Sequence, residues 1–73
     1  MNSPTAYITV RVNGEARRLA ADCSIEQLLE SLDMAGQRVA VERNEDVVPR
    51  SEYATTQLQQ DDRIEIIRAI GGG

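Results

Sequence analysis

The sequence predicts an α+β domain in which a mixed sheet folds over one main helix. Three observations carry that expectation. Residues 6–12 alternate apolar and polar, one helical apolar stripe follows Ser24, and an isoleucine-rich run occupies residues 63–70. The predicted order is ββαβ, a short edge strand, then a final strand. With 73 residues, the chain has room for one domain, expected over residues 1–70. A chain this short buries only about 60% of the surface it exposes when unfolded.

In Ala6–Val12, the residues Ile8, Val10 and Val12 alternate with Thr9 and Arg11, the period of a half-buried strand. Asn13-Gly14 is a strong hairpin signal. The return strand, Glu15–Ala20, is polar, with Leu19 as its one clear core candidate, and the length of the connecting loop is left open. Ser24 and Gln27 match a capping box, in which each side chain satisfies a backbone N–H at the helix start. Ile25, Leu28, Leu29 and Leu32 then form one stripe, and Gly36 is the expected C′ residue. Cys23, just before the cap, is read as a hydrophobic staple against Leu28 rather than a reactive thiol.

Val39-Ala40-Val41 reads as a buried strand, followed by a polar turn at Arg43-Asn44-Glu45-Asp46. Val47-Val48-Pro49-Arg50 reads as an edge strand, because proline cannot donate to a central ladder. Ser51–Leu58 is ambiguous, and a single helical turn fits part of it. Asp61-Asp62 marks a turn, read as solvated. The last strand, Arg63–Ile70, puts Ile64, Ile66 and Ile70 on one face.

Composition excludes several classes of chemistry. There is no histidine, which removes the commonest general base, histidine-paired nucleophiles and histidine-built zinc sites. One cysteine gives no internal disulfide, and no metal site is expected. The net charge of −4 argues against nucleic acid as a partner and favours basic protein surfaces. No segment has the length of a membrane span or the character of a signal peptide. These features lead us to expect a soluble, cytoplasmic protein. All eight basic residues are arginine, so no lysine side chain is present through which copies of the chain could be joined.

The sequence closes on Ile70-Gly71-Gly72-Gly73. Three extended residues reach roughly 10 Å, and glycines can thread a channel closed to side chains. The expected functional group is the Gly73 carboxylate, borne on a flexible tail over residues 71–73. The plainer alternative is a frayed terminus.

Together these features resemble the ubiquitin-like sulfur carriers, small β-grasp proteins ending in diglycine. The runs Val39-Ala40-Val41-Glu42, Asn44, Val47-Val48-Pro49-Arg50-Ser51-Glu52-Tyr53 and Asp62–Gly73 are similar to the thiamine-biosynthesis branch. Arg68-Ala69-Ile70 replaces the prolines usual in the molybdopterin branch. The Arg43–Asp46 turn departs from the Asn-Gly-Glu pattern common in the family.

The resemblance implies a carrier and not an enzyme. An E1-like adenylyltransferase, using ATP and magnesium, would adenylate Gly73, and a persulfide-based sulfur donor system would convert it to a thiocarboxylate. Thiazole synthase would then receive the sulfur. No cofactor is expected on the chain itself. A monomer forming transient complexes is implied. A carrier for molybdopterin or sulfur amino acids, a protein modifier using Gly73, and an interaction domain with an idle tail are the alternatives.

Ile67 is out of phase with Ile64 and Ile66 and is expected on the open sheet face. Ubiquitin places part of its partner-binding patch at the matching position. Ile67, Ile70, Gly71 and Gly72 are therefore the expected partner-binding residues. Arg50 is read as a surface charge and Tyr53 as a cap on the core.

Overall fold

The Asn13-Gly14 turn sets the first hairpin. Both residues adopt positive φ, 51° and 86°, and Val12 pairs directly with Glu15. The loop is thus the two-residue turn with left-handed backbone at both positions that matches strand twist. The computed structural model describes residues 6–68. In it β1 (Tyr7–Val12) and β2 (Glu15–Ala20) pair antiparallel. Val10 and Val12 are buried, and Ile8 and Leu19 pack on the rim of the core.

The helix start is fully satisfied. Ser24 Oγ accepts from Gln27 N–H at 3.1 Å, and Gln27 Oε1 accepts from Ser24 N–H at 2.9 Å. Ile25 N–H and Glu26 N–H donate to the carbonyls of Thr56 and Tyr53, each at 3.0 Å. Helix α1 (Ile25–Ser31) buries Ile25, Leu28 and Leu29. It ends before Gly36, contrary to the sequence expectation. Asp33 takes the left-handed conformation, φ 63°. Met34 N–H bonds back to Leu29 C=O at 2.8 Å, and Asp33 N–H to Glu30 C=O at 3.1 Å. These two bonds form a Schellman cap with aspartate where glycine is usual. Gly36, φ 81°, serves a separate turn closed by Gln37 N–H to Met34 C=O at 3.1 Å.

β3 (Val39–Arg43) and β4 (Asp46–Val48) form a second hairpin. Its two-residue loop, Asn44-Glu45, also has positive φ at both positions, 52° and 75°. β3 is not buried on both faces as expected. Val41 is fully buried, but Ala40 is exposed on the opposite side. Pro49 ends β4 and starts a 3₁₀ turn, Arg50–Glu52. The chain then returns beside α1, with Leu58 N–H on Cys23 C=O at 2.9 Å.

β5 (Arg63–Arg68) completes a five-stranded sheet of order β2-β1-β5-β3-β4. It is parallel to β1 and antiparallel to β3. The ladder with β1 holds only two residue pairs, Arg11 with Arg63 and Val12 with Ile64. The Asn13 side chain extends it, accepting from Ile66 N–H at 2.8 Å. The arrangement is the β-grasp expected from the sequence: one helix under a mixed sheet. Both edges are protected. Arg17 and Arg18 are exposed on β2, and β4 is short and closed by proline.

Asp62 is buried, with a relative exposure of 6%, contrary to the reading of a solvated turn former. Its carboxylate accepts from Arg43 Nε at 2.8 Å, Asn44 Nδ2 at 3.0 Å and Gln59 N–H at 2.8 Å. Burial alone would raise its pKa. The bonds from Asn44, Gln59 and Arg43, with the Arg43 charge, outweigh burial and hold it below the ordinary carboxylate value. Asn44 Oδ1 in turn accepts from Arg63 N–H at 2.9 Å.

Asp62→Ala is expected to cost about 2–3 kcal/mol in chemical denaturation, because it removes charged hydrogen bonds and strands their donors. Since the folded pKa is depressed, the stabilisation is complete above the unfolded value, near 3.9. It is lost as pH falls through the folded value. Denaturation measured from pH 6 downward should show this loss in the parent protein and a shallower one in Asp62→Asn. Glu45→Gly should raise stability by about 0.5 kcal/mol, since relief of the left-handed backbone exceeds the entropy cost of glycine.

Candidate functional site

The faces of β5 divide the candidate site from the core. Ile64 and Ile66 are buried, at 1% and 8% exposure, whereas Ile67 is 51% exposed. Ile67 stands opposite Ala40 of β3, on the sheet face away from α1. Val47 of β4 lies on the same face at 68% exposure and pairs with Glu42. Glu42 pairs in turn with Glu65. The open face near the end of β5 thus carries three apolar side chains around two carboxylates. Ile70, Gly71, Gly72 and Gly73, expected as the tail and its root, lie outside the described residues.

Within the Val47–Tyr53 motif, Arg50 and Tyr53 have structural roles. Tyr53 is buried in the core and its hydroxyl donates to Val39 C=O at 3.4 Å. The exposed Arg50 guanidinium reaches Gln37 C=O at 3.4 Å. Together they wall a cavity of about 260 Å³ against Leu29, Met34 and Val39. The motif therefore fixes the segment that leads into β3, and β3 sets the position of β5.

Cys23 is likewise structural. It is buried in the core with Leu28, and its thiol donates to Ser24 C=O at 3.4 Å. Burial, then the neighbouring Asp22 charge, pushes its pKa up, which keeps it a protonated and unreactive thiol. Among the described residues, no three His, Cys, Asp or Glu side chains converge to hold a metal ion. No described helix is long and apolar enough to cross a membrane.

Sequence reasoning found Ile67 by its phase along β5. It missed the Glu42–Glu65 pairing, because strand register across β3 and β5 is not written in either strand alone. It also missed the Asp62 cluster behind that register.

Fold and strand order place the chain among the ubiquitin-like β-grasp proteins. The chain belongs to the ThiS family, whose sequence model matches residues 10–73, and this is a family of small sulfur carriers in thiamine biosynthesis. It is 34% identical over 61 residues to the sulfur carrier protein ThiS of Escherichia coli, covering 84% of this chain and 92% of that one. It is 44% identical over 62 residues to a thiazole synthase of Paramagnetospirillum magneticum, covering 85% of this chain. The match spans only 19% of that protein's length. The crystal structure of a thiamine biosynthesis protein (ThiS) from Geobacter metallireducens superposes with a TM-score of 0.77 at 29% identity. That superposition covers 90% of this chain and all of the other.

The facing of β5 makes a sharp contrast between neighbours. Ile67→Asp should cost about 1 kcal/mol, within the span of strand propensity. Ile66→Asp would bury an unpaired charge and should abolish the cooperative thermal transition.

Proposed function

We propose that Gly73 carries sulfur as a C-terminal thiocarboxylate for building the thiazole ring of thiamine. The observation that carries this reading is the family match, which runs through Gly73 itself. A free α-carboxyl has a pKa near 3.3–3.7, so at neutral pH it is an anion and a poor electrophile. Activation by an E1-like enzyme with ATP and magnesium meets that difficulty. The carboxylate displaces pyrophosphate to give an acyl-adenylate, and a donor persulfide then displaces AMP. Reduction of the resulting acyl disulfide by a thiol leaves the thiocarboxylate. ATP and magnesium belong to the activating enzyme. The carrier contributes the carboxyl group, a glycine tail slim enough to enter more than one active site, and a surface for docking.

Thiazole synthase is the proposed acceptor. In two proteins of that name, a segment resembling this chain makes up about a fifth of the length. Joined in one chain, donor and acceptor would meet at high effective concentration. Ile67, with Ile70 at the tail's root, is the proposed apolar contact for the activating enzyme. Its half exposure beside Ala40 supports that role.

Intact mass of the protein from its host, grown with and without thiamine, tests the reading. A sulfur-for-oxygen exchange at Gly73 that increases under thiamine starvation is expected. An exchange indifferent to thiamine would move the carrier to another pathway, and conjugates of high mass would make it a modifier. One residue added after Gly73 should abolish loading, and normal loading of that variant would overturn the mechanism. Ile67→Asp should weaken binding to the activating enzyme at least tenfold.

A further inference from the structure

Two like-charged pairs stand in register on the open face. Glu42 lies directly opposite Glu65 across β3 and β5, and Arg11 lies opposite Arg63 across β1 and β5. All four side chains point away from the helix, since their strand neighbours Val41, Ile64, Ile66, Val10 and Val12 are buried. Like charges directly opposite destabilise a sheet. Neither glutamate is relieved by an ion pair within 4.0 Å, and the one ion pair among the described residues is Arg43–Asp62. Arg63 lines a shallow recess of about 200 Å³ with Glu42, Glu45 and Glu65, yet it forms no ion pair with them.

Beyond the recess, the glutamate pair borders apolar side chains. Val47 flanks Glu42 on one side, and Ile67 and Ala40 lie one row further along the strands, toward the end of β5. The recess therefore offers three carboxylates against one arginine, with exposed aliphatic groups beside it. That combination matches a long basic side chain, whose methylenes cover apolar surface while its head meets carboxylates. A guanidinium can engage two carboxylate groups through its fork of donors.

We propose that the Glu42–Glu65 pair is a docking element for an arginine or lysine of the protein that binds the carrier through Ile67. The unfavourable pairing is then a cost carried by the unbound domain and removed on binding. This inference rests on Ile67 lying in the docking surface, as proposed above, and it adds the charge of the partner's contacting residue. It also locates the basic partner surface expected from the net charge of −4 at one row of the sheet.

The test separates binding from stability, because the two should move in opposite directions. Glu42→Gln and Glu65→Gln, singly and together, are compared with the parent protein and Ile67→Asp. Thermal unfolding and binding to the activating enzyme from the same organism are measured at several salt concentrations. The double variant is expected to melt about 2–4 °C higher. It is also expected to bind about tenfold more weakly, with a shallower dependence on salt. A glutamine variant that melts lower would show that the pair is structural and overturn the proposal. Unchanged affinity and salt dependence would also overturn it. If Ile67→Asp weakens binding and the glutamine variants do not, the docking surface stands and the basic contact falls. If none of them weakens binding, the docking surface falls as well.

Discussion

The Asp62 carboxylate is the interaction on which the positions of the other parts depend. It lies just before β5 and gathers Arg43 and Asn44 from the β3–β4 hairpin, with Gln59 from the preceding turn. Asn44 passes the connection on to the backbone of Arg63. The register of β5 against β3 is thereby set at one end of the pair. The consequence appears at the other end. A slip of one residue would turn Ile66 outward and Ile67 inward. The same buried acid that fixes the fold therefore also decides which isoleucine the open face presents. It is well suited to that task because burial makes each unmade hydrogen bond expensive, so few alternative arrangements compete.

The parts of this architecture that obey local rules were legible in the sequence. Asn13-Gly14 named its turn, Ser24 and Gln27 named the helix start, and Ile64 and Ile66 named the inner face of β5. Features that depend on contacts distant in sequence were not. Asp62 reads as a turn residue because its partners Arg43 and Asn44 come from another hairpin, 19 and 18 residues earlier. Gly36 was the obvious helix stop, but Asp33 tolerates the left-handed conformation and takes the cap first. Ala40 sits in a short apolar run that cannot reveal how many of its faces are covered. At the candidate site, the phase of Ile67 was visible, while its acidic neighbours required the register of a second strand.

The division of the sheet into two faces also bears on the proposed docking of the carrier. The inner face holds the core together and is closed to partners by α1. The outer face leaves Ile67 and Val47 more than half exposed. Large apolar patches would give affinity there, but they would also bind other copies of the chain. Ile67, Val47 and Ala40 form a small patch with the Glu42 and Glu65 carboxylates among them. In a symmetric contact between two copies the same patch would meet itself. With the two-fold axis through the Glu42–Glu65 row, four desolvated carboxylates would oppose the pairing. A basic side chain reverses the sign of that interaction. On the proposal above, the Glu42–Glu65 row would select for a basic partner, and Glu65 lies on the strand that carries Ile67.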